Sequence, residues 1–307
     1  MRYTESMVQA AVPASADALE KALARTYIAD SRTALAAWLA LQLARPLLLE
    51  GPAGVGKTDL ARALAETLGR PLVRLQCYEG LDEAKALYEW DYAKQMLHTQ
   101  LVRDSAAGAN AIEDVFSKRF LIPRPLLTAI ESPTPAVLLV DEVDRADPEF
   151  EAFLLEILAE NQVTIPELGT IKAAHPPLVI LTTNATRDMT DALRRRCLHA
   201  FLDYPPPSRE IAILALRVPG IANDLASSLV TFANAIRKMD LRKHPSIAET
   251  IDWARALLAL GKNALTPDVA RDTLGVILKH EEDRRKVDPQ LATLTAAAAS
   301  AAPPAAD

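Results

Sequence analysis

Short apolar runs recur along the first two thirds of the chain, and each of them ends in polar residues. Three such runs are Leu47–Leu49, Val137–Val140 and Leu178–Leu181. Runs of this length without polar alternation are typical of strands that are buried on both faces of a parallel sheet. Asp59–Leu68 has a helical pattern, and Pro71–Cys77 has the character of another core strand. The pattern predicts an α/β fold in which helices flank a parallel sheet.

The pattern changes at Pro205-Pro206-Pro207, a proline hinge beyond which helical stretches follow one another. These stretches are Ser208–Val218, Ile221–Met239, Ser246–Leu260 and Pro267–Lys286. We therefore expect an α/β core over residues 21–205 and a small all-helical lid domain over residues 206–290. Residues 1–20 are small and polar, and residues 291–307 are rich in Ala and Pro, so we expect a flexible N-terminus and a disordered tail.

Two segments of the core have a strand pattern that interrupts the expected helices. Within Gly80–Leu101, aromatic residues occupy alternate positions, namely Tyr88, Trp90 and Tyr92. We expect a small hairpin there, and one explanation for the aromatic side chains is that they fill the core. Gln162–Ile165 and Thr170–Ala173 flank a Pro-Glu-Leu-Gly turn and predict a second hairpin.

A phosphate-binding loop follows the first apolar run. Its pattern is G-x-x-x-x-G-K-[ST], formed by Gly51, Pro52, Ala53, Gly54, Val55, Gly56, Lys57 and Thr58. Glycines let successive backbone N–H groups turn towards a polyphosphate, and the next helix points its positive end at the same charge. In this pattern the lysine reaches the β- and γ-phosphates, and the threonine hydroxyl ligates Mg²⁺. The alternative, a Gly-rich turn with a chance lysine, is less consistent with a position between a strand and a helix.

The second and third apolar runs end in residues that suit hydrolysis. Asp141 and Glu142 follow Val137–Val140. Asp141 can accept hydrogen bonds from the water shell of the metal, and Glu142 can polarise an attacking water. Asn184 follows the third run and can orient that water or contact the γ-phosphate; a strand-end turn residue is the alternative.

Three consecutive arginines, Arg194, Arg195 and Arg196, lie downstream of Asn184. On a helix their side chains diverge by about 100° each, so they cannot all serve one site. One or two of them can project into the nucleotide of a neighbouring subunit, as arginine fingers do. The alternative is a solvated or salt-bridged basic cluster.

The order of these elements resembles that of the AAA+ ATPases over about residues 25–290. The chain is most similar to the MoxR group in Asp141–Ala146, in Phe153–Leu158 with Asn161–Ile165, and in Ala192–Cys197 with Asp203-Tyr204-Pro205. Within that group it resembles the CoxD-type proteins in Cys77–Asp82, Tyr88–Tyr92 and Ile247–Ala254. Those proteins are associated with maturation of molybdenum-containing carbon monoxide dehydrogenase and its relatives.

The resemblance implies a Mg²⁺-dependent ATP hydrolase that works as a ring, a homo-hexamer, and changes the shape of another protein. It implies that Arg196, with Arg195 as the second candidate, is the arginine finger. It places Tyr27 and Ile28 near the adenine, and it places the aromatic insert at the pore of the ring. The implied partners are a von Willebrand A-type adaptor protein and a molybdenum hydroxylase client.

One feature of the AAA+ resemblance is missing from the sequence. Many AAA+ lids place an arginine at the start of their third helix to contact the γ-phosphate, whereas this chain has Pro245-Ser246-Ile247 there. Arg242 and Lys243 are the nearest cations. We assign no residue to this role.

Composition limits the classes of partner that this protein can bind and the cellular compartment in which we expect it. The formal net charge of −6 argues against nucleic acid, because proteins that bind a phosphate backbone usually have a basic surface. Cys77 and Cys197 lie far apart, so we expect buried free thiols in a reducing compartment. Met1–Ala10 has no room for a signal-peptide core, and the longest apolar stretch, Ala34–Ala44, is too short to span a membrane. We therefore expect a cytoplasmic protein with no membrane span.

Two other classes of protein contain a phosphate loop. A nucleotide-binding regulatory subunit with slow hydrolysis would keep Lys57 and Asp141 but would not need Glu142 or the arginines. A phosphate-loop kinase for a small molecule would need its own substrate base and no arginine directed at a neighbour. The residues present favour the hydrolase over both alternatives.

Overall fold

The computed structural model of the protein describes residues 12–103 and 115–300. The chain divides into two compact units, an α/β unit and a helical unit. The α/β unit comprises Met1–Leu19, Ser31–Glu50 and Thr58–Phe201, and the helical unit comprises Glu20–Asp30, Gly51–Lys57 and Leu202–Asp307.

The α/β unit is built around a five-stranded sheet. Its strands are β1 (Leu47–Glu50), β2 (Leu72–Gln76), β5 (Val137–Asp141), β8 (Leu178–Thr183) and β9 (Leu198–Phe201). Their order across the sheet is β2-β5-β8-β1-β9. All neighbouring strands are parallel. Every residue of β5 and β8 is buried, which explains why the sequence shows uninterrupted apolar runs there. The predicted α/β fold with a parallel sheet is confirmed.

Helices flank this sheet, and two of them start at a proline. The helices that begin before Leu202 are α1 (Ala16–Leu23), α2 (Ser31–Leu43), α3 (Lys57–Thr67), α4 (Glu83–Ala86), α5 (Tyr92–Arg103), α6 (Pro125–Ile130), α7 (Pro148–Glu160) and α8 (Asp191–Arg196). Proline is favoured at the first helical position because the N–H group it lacks has no partner inside the helix. Leu, Ile, Val and Ala side chains supply most of the core, as the low aromatic content requires.

The predicted flexible N-terminus is wrong for the residues that the structure describes. Helix α1 contains Leu19 and Leu23, whose side chains are fully buried. The Trp38 Nε1 atom also donates a hydrogen bond of 3.0 Å to the carbonyl oxygen of Pro13. The two leucines recur at helical spacing on one face, and their burial stabilises the segment despite its small polar neighbours. Residues 1–11 of the predicted flexible segment lie outside the described residues.

The prediction of an aromatic hairpin is confirmed for its strand and wrong for the strand that pairs with it. Strand β3 (Tyr88–Trp90) pairs antiparallel with β4 (Leu121–Pro123), with Trp90 opposite Leu121. Helix α5 lies between the two strands in the chain, so the connection is not a tight turn. Residues 104–114 lie outside the described residues. A long-range pairing of this kind has no local turn sequence that could have predicted it.

The second predicted hairpin is confirmed. Strand β6 (Gln162–Ile165) pairs antiparallel with β7 (Gly169–Lys172), and Val163 lies opposite Ile171. The turn between the strands contains Pro166 and ends at Gly169, which has a positive φ of 76°. Glycine adopts such a backbone conformation without steric cost.

The three aromatic residues of the insert have different environments. Trp90 is only 8% exposed and belongs to the core of the α/β unit, where its ring makes edge-to-face contacts with Tyr88 and Phe116. Tyr92 is 67% exposed at the start of α5. Trp90 therefore fills the core, and Tyr92 is the member of the set that lies on the surface.

We expect Trp90→Ala to lower the free energy of unfolding by about 3–5 kcal/mol, because it removes a buried ring and leaves a cavity. Urea denaturation followed by circular dichroism measures this change. Tyr92→Ala is the matched control, because the exposed ring of Tyr92 contributes little to the core and its removal should change stability by less than about 0.5 kcal/mol. Equal stability of the two variants would contradict the buried position of Trp90.

The part of the helical unit that begins at Leu202 departs from the prediction in its fourth helix. Its helices are α9 (Pro207–Arg217), α10 (Asn223–Arg237), α11 (Ile247–Ala259), α12 (Pro267–Ile277), α13 (Glu281–Val287) and α14 (Leu291–Ser300). The predicted single helix Pro267–Lys286 is broken at Leu278, which is buried in an extended conformation. The break lets the buried Asp283 carboxylate accept hydrogen bonds from the backbone N–H groups of Arg242 and Lys243.

The predicted disordered tail is also corrected, because residues 291–300 form α14. Leu291, Thr295 and Ala298 are buried on one face of this helix. Alanine has the highest intrinsic helix propensity, so an Ala-rich segment forms a helix readily once a few anchoring side chains can pack. The remaining tail residues, 301–307, lie outside the described residues.

A buried ion pair lies inside the helical unit. The Arg237 guanidinium donates two hydrogen bonds of 2.7 Å to the Glu210 carboxylate, which is fully buried. Arg237 also donates to the carbonyl oxygen of Pro245, and its charged group lies 4.6 Å from the centre of the Tyr204 ring. These contacts fix the segment that leads into α11.

Both cysteines are buried free thiols, as expected. Burial raises the pKa of Cys77 to about 12, and the negative charges of Asp141, Asp144 and Glu142 add to the effect. Burial raises the pKa of Cys197 to about 11. The folded protein therefore disfavours both thiolates.

We expect iodoacetamide at about pH 8.5 to label neither cysteine in the folded protein and both in denaturant, where a thiol has a pKa of about 8.5. Mass spectrometry of tryptic peptides measures the two rates. Because the folded pKa values are raised, the stability that the protonated thiols contribute is complete below the unfolded pKa and decreases as pH rises through the range up to the folded values. Labelling of folded Cys77 at the denatured rate would contradict its burial.

Among residues 12–103 and 115–300, no helix is both long enough and apolar enough to cross a membrane.

Candidate functional site

The phosphate loop connects β1 to α3 and folds around its own lysine. Lys57 is buried, and its Nζ atom donates hydrogen bonds to the carbonyl oxygens of Gly51 (2.6 Å) and Pro52 (2.7 Å). Helix α3 begins at Lys57, so the positive end of its dipole points at the loop. The loop thus combines a cation with a helix N-terminus, an arrangement that suits a polyphosphate.

Close packing requires glycine at two positions of this loop. A Cβ atom at Gly54 would lie 2.4 Å from the Ser246 Oγ atom, and the φ of Gly54 is +76°. A Cβ atom at Gly51 would lie 2.0 Å from the carbonyl oxygen of Leu202. Both neighbours belong to the helical unit, as the loop itself does. Glycine at both positions thus lets the loop pack against these neighbours, in keeping with the glycine-rich pattern of a phosphate loop.

Tyr27 lies beside the same loop. A Cβ atom at Gly56 would lie 3.3 Å from the Tyr27 ring carbon Cε2, so the ring packs against the backbone of Gly56. Ile28 is the next residue and is half-buried. The structure thus brings Tyr27 to the loop, whereas a contact of either residue with adenine stays a prediction.

The start of α11 faces the loop with small side chains. Ser246 caps this helix, and its hydroxyl and backbone N–H group form a capping box with Glu249. Ala248 Cβ would lie 3.7 Å from a Cβ atom at Gly54. Lys243, one of the two cations considered for the lid role, pairs with Glu249 at 3.3 Å. The two residues that meet Gly54 from this helix are therefore not cations, in agreement with the sequence.

Asp141 and Thr58 meet at the carboxyl end of the sheet. Asp141 is buried as the last residue of β5, and its Oδ1 atom accepts hydrogen bonds from Thr58 Oγ1 (3.0 Å) and Thr182 Oγ1 (2.6 Å). Thr58 directly follows Lys57 in the chain. A hydroxyl and a carboxylate oxygen are ligands that suit Mg²⁺, so the pair fits the predicted metal site.

Sequence reasoning missed two side chains on β2 that hold both carboxylates. Arg74 donates to Asp141 Oδ2 from Nε (3.0 Å) and Nη2 (2.6 Å), and Gln76 Nε2 donates to Glu142 Oε2 (3.0 Å). Gln76 lies beside Asp141 in the register of β2 and β5. Two polar residues with a spacing of two in a core strand were a signal that one face points into a polar site. Arg74 also places a positive charge beside Asp141, so a Mg²⁺ ion bound there would share the Asp141 carboxylate with the Arg74 guanidinium.

Glu142 has an unusual backbone conformation. Its φ of 56° and ψ of 51° lie in the left-handed region, which is rare for residues other than glycine. The backbone N–H group donates to Thr182 Oγ1 (2.9 Å), and the carboxylate accepts from Arg145 Nη1 (3.1 Å) as well as from Gln76. Residues held in such conformations cluster at functional sites, because the surrounding structure must stabilise them.

Asn184 lies at the same edge of the sheet as Glu142, because β5 and β8 are parallel neighbours and both have just ended. It is half-buried, and its backbone N–H group donates to Asp144 Oδ2 (3.3 Å). The structure therefore places all three predicted strand-end residues, Asp141, Glu142 and Asn184, at one edge.

Sequence comparison identifies the region that contains these strands. Residues 46–197 match the AAA domain of the dynein-related subfamily. This region is an AAA domain. AAA domains generally hydrolyse ATP, so the match supports nucleotide binding and hydrolysis.

The chain is also similar to uncharacterized staphylococcal proteins. It is 27% identical over 252 residues to one from Staphylococcus saprophyticus, which covers 80% of this chain and 88% of the relative. A protein of Staphylococcus epidermidis is 27% identical over 251 residues, with coverage of 80% and 88%. A protein of Staphylococcus aureus is 27% identical over 252 residues, with coverage of 80% and 87%. The similarity therefore extends beyond the AAA domain.

The arginine cluster near the end of the AAA domain separates into two kinds of side chain. Arg194 pairs with Glu50 at 3.4 Å, and Glu50 also contacts His199. Arg195 and Arg196 are exposed, and their charged groups have no partner among the described residues. Their backbone carbonyl oxygens accept hydrogen bonds from the Arg45 side chain. Helix α8 of the AAA domain is thus held at its C-terminal end, with two arginines directed to solvent.

Proposed function

We propose that this protein is a Mg²⁺-dependent ATP hydrolase. The observation that carries the proposal is the 3.0 Å hydrogen bond between Thr58 and Asp141, immediately after a complete phosphate loop. Hydroxyl and carboxylate oxygens at this spacing can hold one Mg²⁺ ion between them. When bound, the ion neutralises charge that develops on the phosphates.

In this proposal, each side chain of the site has one task. The glycines of the loop expose backbone N–H groups to the phosphates, and Lys57 supplies a positive charge. Glu142 accepts a proton from the attacking water, and Gln76 and Arg145 hold its carboxylate in place. Asn184 orients the same water or contacts the γ-phosphate from the neighbouring strand end.

The exposed arginines support assembly as a ring, for which the resemblance suggests six subunits. Arg195 and Arg196 are too solvent-exposed to serve a buried role in their own subunit, and they can complete the nucleotide site of a neighbour. An arginine supplied in trans couples hydrolysis to assembly.

An apolar surface on α5 supports the action on another protein. Tyr92, Met96, Leu97 and Leu101 are all exposed, and the spacing of four residues places Tyr92 beside Met96 and Leu97 beside Leu101. Contiguous exposed apolar side chains mark interaction sites. The proposed client is a molybdenum hydroxylase, engaged with a von Willebrand A-type adaptor, and these identities rest on the CoxD-type resemblance alone.

Phosphate release from ATP, measured with and without Mg²⁺, tests the proposed hydrolase. The proposal predicts turnover that EDTA abolishes, and light scattering with a slowly hydrolysed ATP analogue gives the ring size. Tight ATP binding without turnover, alone or with the adaptor and client, would favour the regulatory-subunit alternative. Phosphate transfer to a small molecule would favour the kinase. Co-expression with a molybdenum hydroxylase tests the client, which should stay inactive without ATP hydrolysis.

A further inference from the structure

Two buried carboxylates that the proposed chemistry does not use lie just beyond Glu142. Asp144 belongs to the short turn Val143–Arg145, and its Oδ2 atom accepts hydrogen bonds from the backbone N–H (3.0 Å) and the hydroxyl (2.7 Å) of Thr186. It also accepts from the Asn184 N–H group. Burial alone would raise the pKa of Asp144, but these hydrogen bonds lower it, so the group is ionised. Asp144 thus fastens the residues after β8 to the turn after β5.

Glu151 on α7 is the second of these carboxylates, and it is fully buried. Its Oε1 atom lies 2.5 Å from Arg187 Nη2, and its Oε2 atom accepts a hydrogen bond of 2.9 Å from the Thr190 N–H group. Arg187 also donates to the carbonyl oxygen of Ala146. Glu151 therefore binds both ends of the segment from Arg187 to Thr190.

This segment leads directly into the arginine helix. Thr190 is the residue before α8, and its own side chain makes no capping hydrogen bond. Its Oγ1 atom is buried without a hydrogen-bond partner among the described residues. The start of α8 is therefore held by a side chain from another helix, the Glu151 carboxylate, which accepts from the Thr190 N–H group. At the other end of α8, the Arg45 side chain donates to the carbonyl oxygens of Arg195 and Arg196.

We propose that Glu151 is a positioning residue for the arginine fingers, and that it directs Arg195 and Arg196 towards the nucleotide of a neighbouring subunit. The proposal rests on the proposed ATPase function. Glu151 ties α8 to the chain segment that starts at Glu142, so finger orientation in one subunit depends on the conformation of its own hydrolytic turn. A fully buried charge is costly, and an apolar pair of the same size would stabilise the fold equally well. The ion pair instead holds α8 in one orientation, and this role accounts for its presence.

The test uses a variant that removes both charges together. Glu151→Leu with Arg187→Met leaves no unpaired buried charge, so its thermal midpoint should fall by only the few degrees that the lost hydrogen bonds of the Thr190 N–H group and the Ala146 carbonyl account for. The affinity for ATP should stay within about threefold, because neither side chain contacts the phosphate loop, whereas kcat should fall by roughly 10²-fold through misplacement of the fingers. Glu151→Gln keeps the size of the side chain and gives a second measurement if the double variant is unstable.

Mixed rings distinguish a finger defect from a general one. The double-variant subunits have intact phosphate loops, and Lys57→Ala subunits have intact fingers. Mixing the two should therefore restore part of the turnover at interfaces that combine both.

Glu210→Leu with Arg237→Met is the matched control, because it replaces the buried ion pair of the helical unit in the same way. That pair holds Pro245, next to the Ser246 side chain that meets Gly54 of the same subunit, so any loss in this control should persist in mixed rings.

Two results would overturn the inference. One is normal kcat in both Glu151 variants, and the other is a reduced kcat that mixed rings do not restore despite proven subunit exchange. Absence of turnover in the unmodified protein would instead reject the proposed ATPase function itself, so the two failures are distinguishable.

Discussion

Glu142→Gln should bind ATP with near-normal affinity and lose hydrolysis by roughly 10²–10⁴-fold, the range that a general base contributes. Glutamine keeps the size of the side chain, and its amide oxygen can still accept the hydrogen bonds that Gln76 and Arg145 donate. It cannot take a proton from water at neutral pH. The variant should therefore accumulate as an ATP-bound assembly, measured by phosphate release and by retention of radiolabelled ATP on the ring.

Two further variants control this experiment. Lys57→Ala should lose ATP binding as well as hydrolysis, because the buried ammonium of the phosphate loop is gone. Glu149→Gln changes an exposed carboxylate on α7 and should leave turnover unchanged. Near-normal hydrolysis by Glu142→Gln would remove Glu142 from the mechanism.

Arg196→Ala should bind ATP almost normally while hydrolysis falls by roughly 10³-fold or more, which is what arginine fingers contribute. The reason is that the Arg196 side chain is exposed and has no partner among the described residues, so in the proposed ring its loss should affect only the neighbouring subunit. Arg195→Ala shows which of the two exposed arginines has the larger role. Steady-state turnover and equilibrium ATP binding are measured for both variants.

Rings of mixed variant subunits show whether Arg196 acts on the nucleotide of a neighbouring subunit or on that of its own subunit. Arg196→Ala subunits mixed with Lys57→Ala subunits should recover some activity, because some interfaces then pair an intact finger with an intact phosphate loop. Arg194→Ala is the comparison, since Arg194 pairs with Glu50, the residue directly before the phosphate loop of its own subunit, and a defect of that loop should not be rescued in this way. A lack of recovery by Arg196→Ala, with subunit exchange demonstrated, would assign Arg196 to a structural role.

Local sequence patterns were sufficient to predict the parallel sheet and the position of the phosphate loop. A strand buried on both faces must be apolar along its length, and a loop that approaches phosphates must contain glycines, so both leave a signature in consecutive residues. The meeting of Thr58 and Asp141 followed from the same logic, because a helix after one strand and the end of a parallel strand lie at the same edge of the sheet. Their roles in Mg²⁺ binding stay predictions.

Sequence patterns failed where stability depended on a few anchoring side chains. The N-terminal segment and the Ala-rich tail looked too polar or too small to fold, yet Leu19 and Leu291 are fully buried. One or two large apolar residues can hold a short helix when a matching surface exists, and that surface belongs to other parts of the chain.

The sequence by itself determined the parallel α/β architecture, the helical unit after Leu202 and the residues at the strand ends, because short-range periodicity encodes each of them. Only the tertiary structure decided which charges meet. Arg74 reaches Asp141, Arg194 reaches Glu50, and Glu151 reaches Arg187 across separate elements. Ion pairs between residues far apart in the chain depend on how strands and helices are brought together, so no local pattern records them. For this reason three equivalent arginines in the sequence became one paired and two exposed side chains in the folded protein.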